Sequence, residues 1–139
     1  MNKRILIDCG GFDSQATRTA IASADIVVTP CNGDATELIG LLSFNKVLTE
    51  IGQDTNQILK GHVLINRVQP QARNFQALMD FIGNAKNLTL LDTITPRRQP
   101  VADASADGLA IAEIKSSKAG VIKARNEFKA LAKELEELL

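Results

Sequence analysis

The sequence predicts an α/β fold in which a parallel sheet is flanked by helices. Short apolar runs alternate four times with longer stretches whose apolar residues recur at helical spacing, which is typical of parallel strands joined by helical crossovers. The runs themselves lack polar alternation, as expected of strands buried on both faces. The 139 residues fit a single domain over 1–139, and 45% of them are hydrophobic, which is enough for a core.

The first apolar run, residues 5–7, predicts a buried strand that ends in Asp8. Gly10 and Gly11 follow, and they allow a sharp turn or the close approach of a ligand. Ser14 is placed to cap the next helix, which we predict to span residues 14–24. Ligands collect at the carboxyl ends of parallel strands, so Asp8 is either a Mg²⁺-site residue or a strand end that hydrogen-bonds its loop.

The remaining predicted elements are three strands and four helices. The strands cover residues 26–28, 61–67 and 88–91, the last open to extension by Ile94. The first of these helices begins at Asp34 or Thr36 and runs to residue 51. The other three cover residues 75–83, 101–106 and 119–139. Pro30 is expected to end the second strand, and Gly52 the long helix.

Composition and cysteine usage narrow the function classes. Sixteen basic and sixteen acidic residues give a formal net charge of zero, so any DNA contact must come from a local patch. Cys9 and Cys31 each close an apolar run, which predicts buried free thiols in a reducing compartment. We find neither a signal-peptide pattern nor an apolar run of membrane-spanning length, so we expect a cytoplasmic domain without a membrane partner.

In their order, these segments resemble the ParA/MinD family of deviant-Walker ATPases, which have a P-loop NTPase fold. Residues 8–11 match the family's Asp-x-x-Gly motif after its Walker B strand, and residues 24–30 match its next strand, which ends in proline. Asn66 and Arg67 match an Asn-Arg or Asn-Lys step, and residues 95–98 match the segment after the following strand. The short ParA type, used in plasmid or chromosome partition, is the most similar branch.

This resemblance implies a nucleotide site with ATP and Mg²⁺ as cofactors. Asp8 would orient Mg²⁺ through water, and Gly10 and Gly11 would belong to the switch that senses the γ-phosphate. Asn66 would hydrogen-bond adenine, with Arg67 and Pro96 in the same nucleotide-binding region. Local roles explain the same residues equally well, because glycines form tight turns and a strand-end Asn can satisfy a turn.

One departure from the family is large. Its members begin with a strand and the loop K-G-G-x-G-K-[ST], and this sequence contains neither, so the chain corresponds to the carboxyl two-thirds of the family's domain. Phosphates are held by backbone N–H groups together with lysine charge. We therefore expect the chain alone to be unable to bind or hydrolyse ATP, so that it holds no cofactor, which leaves open whether it is an enzyme.

The missing strand would also leave two strand edges unpaired, since it lies between the strands that match residues 5–8 and 26–30. Unpaired edges invite pairing with another chain. We expect that those two strands close up against each other, or that a second copy or a ParA relative fills the gap.

By resemblance, the chain acts in DNA segregation, with a centromere-binding partition protein as a partner. Non-specific DNA contacts would come from Arg97, Arg98 and Lys123. Glutamates interleave with the basic residues of the last helix and favour an ordinary charged helix surface for Lys123. The alternatives are a non-catalytic binding or regulatory module that pairs with a full-length relative, and a truncated remnant.

Overall fold

The structure is a computed structural model that describes residues 3–139. Three parallel strands form one sheet in the order β1-β2-β3, with β1 at Val27–Cys31, β2 at Gly61–Asn66 and β3 at Leu88–Thr95. The helices are α1 Gln15–Ser23, α2 Ala35–Thr55, α3 Gln76–Asn84, α4 Gln99–Ala106 and α5 Ala119–Glu137, with one turn of 3-10 helix at Ile111–Glu113. The predicted α/β class, with a parallel sheet flanked by helices, is confirmed.

The main core lies between the sheet and helices α2 and α3. These helices connect β1 to β2 and β2 to β3, and right-handed crossovers in one direction place both on the same face. Val63 and Ile65 of β2 pack there in one cluster with residues of both helices and of neighbouring segments, including Leu41, Leu48, Ile51, Leu78 and Ile82. A Cβ at Gly61 would lie 2.8 Å from the Phe44 ring, so glycine is what lets α2 approach β2 this closely.

Helix α5 packs against β3, where the strand bulges. The register passes from Val63 opposite Leu90 to Ile65 opposite Ile94, so residues 91–93 stand opposite Leu64 alone. The Glu134 carboxylate on α5 accepts the N–H groups of Asp92 and Thr93, at 2.6 and 2.9 Å. The bulge therefore lets β3 run on to Thr95 instead of ending at Leu91.

The predicted strand at residues 5–7 is wrong. Residues 3–10 have no regular secondary structure, and the side chains of Ile5, Leu6 and Ile7 are 87%, 95% and 55% exposed. A strand requires a neighbour for its backbone hydrogen bonds, and this segment has none, because β1 remains the terminal strand of the sheet. The expected closure of the segment onto β1 does not occur. That a second molecule fills the gap stays a prediction, since only one chain is present.

The prediction that Cys9 is buried is wrong for the same reason. Cys31 is buried at the end of β1, as predicted, and its burial raises the pKa of the thiol. Cys9 is exposed because it follows the segment that forms no strand.

Pro30 and Gly52 do not end the elements that they were predicted to end. Strand β1 runs through Pro30 to Cys31, because a terminal strand can carry a residue without an N–H. Helix α2 runs past Gly52 to Thr55, and Asn56 ends it in a left-handed conformation with φ 54°. Ser14 caps α1 as predicted, accepting the Thr17 N–H at 3.2 Å. Among the residues described, no helix is both long enough and apolar enough to cross a membrane.

Candidate functional site

A cleft of about 510 Å³ lies at the carboxyl edge of the sheet. Its walls are residues 32–34 after β1, residues 67–69 after β2, the start of α3 and Arg97 after β3. Parallel strands bring these segments together because all of their carboxyl ends meet at one edge. Of the residues predicted for a site, Arg67 and Arg97 line this cleft.

Hydrogen bonds join the ends of β2 and β3 into one rim. The Arg67 N–H donates to the Thr95 carbonyl, and the Arg97 N–H donates to the Val68 carbonyl, each at 2.8 Å. The buried Thr95 hydroxyl donates to the Asn66 side-chain oxygen at 2.8 Å. This last bond fixes the Asn66 amide and turns its nitrogen, a donor, away from Thr95. The predicted residues at the two strand ends are therefore held against one another.

Arg67 has a left-handed backbone conformation, with φ 57°. This conformation costs a residue with a Cβ about 1–2 kcal/mol relative to the right-handed one. It is also why β2 ends at Asn66, one residue before the predicted end. Strain of this kind persists where neighbouring contacts over-determine the backbone, here the bond from the Arg67 N–H to Thr95.

We expect Arg67→Gly to raise the free energy of unfolding by up to about 1 kcal/mol, because glycine adopts a positive φ without a steric cost. Chemical denaturation followed by circular dichroism measures this change. The control is Arg67→Ala, which removes the same guanidinium and keeps the Cβ, and it should give no gain. Equal gains in the two variants would show that the charge of Arg67, and not its backbone, sets the difference.

The cleft favours a polar or anionic ligand. Arg67 and Arg97 supply two positive charges, and Asp34 is the one carboxylate among its described lining residues. Helices α2 and α3 both begin at its wall, and the first N–H groups of a helix lack intrahelical acceptors. Among the described residues that line the cleft, none is Ser, Cys, His or Lys.

Asp8, Gly10 and Gly11 do not line this cleft. All three are exposed and lie in the irregular amino-terminal part of the chain. In residues 3–139, the glycines with positive φ are Gly33 and Gly108, so neither Gly10 nor Gly11 makes a turn that requires glycine.

The residues present do not fit a Mg²⁺-triphosphate group. Over the same described range, no cluster of three or more His, Cys, Asp or Glu side chains is placed to hold a metal ion, so Asp8 belongs to no such cluster. The sequence also offers no lysine-bearing glycine loop to surround the phosphates.

The three basic residues predicted to contact DNA are in different environments. Arg97 is exposed at the cleft. The Arg98 guanidinium donates to both carboxylate oxygens of Glu127, with its closest contact at 2.5 Å, and these hydrogen bonds raise the pKa of Arg98. Lys123 is exposed on α5. Arg98 is therefore engaged within the fold, whereas Arg97 and Lys123 remain accessible.

Sequence reasoning missed two walls of the cleft. Asn32 and Gly33 follow β1 directly, and Gly33 has φ 86°, so an Asn-Gly pair at a strand end was the available signal. Phe75 was predicted as the first residue of α3, yet it occupies the N-cap position of that helix and lines the cleft.

The chain matches no protein-family model, no curated protein and no solved structure.

Proposed function

We propose that this chain is a ParA-like partition protein that acts in plasmid or chromosome segregation, with a P-loop NTPase type of fold that lacks its first strand and phosphate loop. The observation that supports this most is the joined rim of the cleft. Asn66-Arg67 and Pro96-Arg97 resemble the family's two base-binding segments, and hydrogen bonds hold the ends of β2 and β3 together. The residues that resemble the family's base-binding segments are thus the same residues that lie next to each other in the fold.

In this proposal the cleft receives the base end of a nucleotide, and the chain alone does not hold Mg²⁺-ATP. Arg67 and Arg97, which line the cleft, carry donors for ring nitrogens or anionic groups. The Asn66 amide nitrogen is a further donor at the end of β2, although Asn66 is not among the residues that line the cleft. Phosphates would require a cradle of N–H groups with lysine charge, which the sequence lacks. The partners are a centromere-binding partition protein and non-specific DNA, the latter through Arg97 and Lys123.

Calorimetric titration of Mg²⁺-ATP into the 139-residue chain tests the nucleotide part of the proposal. We expect no heat of binding at micromolar ATP, because no phosphate cradle and no metal-ligand cluster surround Asp8. Micromolar binding that Asp8→Asn abolishes would contradict this expectation and restore Asp8 as a metal-site residue. Micromolar binding that Asp8→Asn leaves intact would show that another segment holds the phosphates.

Plasmid stability tests the partition part. Expressed in cells that carry a plasmid with a ParA-type partition system, the chain should raise the rate of plasmid loss by competing for the partner or for DNA. The control is the same chain with Arg97→Glu, which reverses the charge at the cleft. An unchanged loss rate with the natural chain across several partition systems would contradict a partition role.

A second candidate function is a non-catalytic module that pairs with a full-length relative. The free edge of β1 and the exposed apolar residues 5–7 favour it, because both can add to the sheet of another molecule. An assay of ATP turnover distinguishes an enzyme, which hydrolyses ATP, from such a module, which does not. Co-purification of a full-length relative with the tagged chain separates the module from a remnant.

A further inference from the structure

We propose that two copies of this chain exchange their amino-terminal segments, so that residues 4–8 of each copy add as a parallel strand to the free edge of β1 in the other. We call residues 4–8 the exchange segment. The proposal does not depend on the nucleotide site, because it rests on an unpaired strand edge and on a segment with the composition of a strand.

The two edges of the sheet differ in how they are covered. At the β3 edge, helix α5 packs along the strand, and Glu134 accepts the N–H groups of Asp92 and Thr93 in the bulge. At the other edge, β1 is the terminal strand, and its Val28 side chain is still 38% exposed. Within residues 3–139, β1 therefore presents the edge that is open to strand addition as far as Pro30, which has no N–H to donate.

The exchange segment has the composition and length of a strand for this edge. Its central residues Ile5, Leu6 and Ile7 are β-prone and largely exposed, at 55–95%. The segment is long enough to lie beside residues 25–29, which include the first three residues of β1, and it forms no regular secondary structure in the single chain. Each molecule thus carries both an open edge and an exposed apolar segment that fits it.

Charge favours a parallel register. With Arg4 placed opposite Asp25, just before β1, residues 5–7 lie beside residues 26–28 and Asp8 lies beside Thr29, so opposite charges pair at one end and apolar side chains pair in the middle. The antiparallel arrangement centred on the same residues would set Asp8 opposite Asp25, and two carboxylates facing each other are unfavourable.

Within one molecule, the path of the chain does not place the exchange segment on β1 as a strand. Helix α1 is fixed on α2 by an ion pair between Arg18 and Glu50 at 2.8 Å. From there, the segment runs so that Arg4 reaches Glu136 near the end of α5, at 2.5 Å, with Asp25 of the same chain near enough to interact with its charge, and residues 5–7 form no strand with β1. Arg4 and Glu136 are both exposed, so releasing their pair costs little when the segment moves to a second copy.

Sedimentation or light scattering of the purified chain at tens of micromolar tests the proposal. We expect a dimer, and we expect Leu6→Asp to weaken dimerisation at least tenfold. Leu6 is 95% exposed in the single chain, so its replacement leaves the monomer folded. The control is Ile58→Asp, since Ile58 is 91% exposed in the connection between α2 and β2. A monomeric natural chain, or an equal loss with Ile58→Asp, would overturn the proposal.

Cysteine cross-linking shows which molecule supplies the strand. A tagged chain with Ile7→Cys is mixed with an untagged chain with Val28→Cys, both carrying Cys9→Ser so that the exposed native thiol is removed. Oxidation should give a disulfide between the two chains. If the mixture gives none, while one chain with both substitutions forms a disulfide within itself as a monomer, the segment pairs with its own β1 and exchange is excluded.

Discussion

Leu48→Ala should lower the free energy of unfolding by about 2–5 kcal/mol, since it deletes three carbons from a tightly packed core. Leu48 is only 1% exposed and lies in the cluster that joins α2 and α3 to the sheet. Its Cδ1 lies 3.0 Å from where a Cβ on Gly61 would stand, so it packs directly against the start of β2. Denaturant unfolding followed by circular dichroism measures the loss.

Leu42→Ala is the matched control for this prediction. Leu42 lies on the same helix but is 59% exposed, so the same deletion there should cost less than about 1 kcal/mol. Comparable losses at the two positions would mean that α2 does not turn its Leu48 face to the sheet. The packing of α2 on the sheet, which positions the strand ends around the cleft, would then differ from the one described here.

Glu134→Gln should lower the free energy of unfolding by about 1–3 kcal/mol at pH 7. The carboxylate accepts two backbone N–H groups of the β3 bulge, and hydrogen bonds to a charged group contribute more than neutral ones. Gln keeps one acceptor oxygen and loses the charge. Glu137→Gln, at an exposed position of the same helix, is the control and should change stability by less than about 0.5 kcal/mol.

The effect of Glu134→Gln should also depend on pH. Burial raises the pKa of Glu134, but hydrogen bonds from the Thr93 side chain and from the Asp92 and Thr93 N–H groups outweigh it, so the pKa lies below its ordinary value of 4.5. A carboxyl with a lowered pKa stabilises the fold fully above its unfolded-state pKa, and loses this contribution as pH falls through the folded-state value. The difference between the natural chain and the variant should therefore be greatest near pH 7 and should narrow below pH 4.5.

A difference that stays constant between pH 7 and pH 3 would contradict this account. Glu134 would then act through packing of its side chain on β3, and not through its charge. The same series shows how firmly the β3 edge is closed, because loss of the Glu134 bonds frees two N–H groups in the bulge.

Local patterns in the sequence were sufficient to predict most of the elements. Ser14 predicted the start of α1, and apolar runs predicted β2 and the first half of β3. These signals work because capping and periodic burial depend on residues a few positions apart. The predicted binding residues at the ends of β2 and β3 also lie together, because parallel strands share a carboxyl edge.

Only the tertiary structure decided the rest, since it depends on contacts far apart in sequence. Residues 5–7 have the same apolar pattern as β2, but they form no strand because no neighbouring strand completes their hydrogen bonds. The extension of β3 depends on Glu134, about 40 residues further along the chain. The cleft needs three strand ends and the start of α3 at one edge, and that convergence is a property of the sheet and not of any single segment.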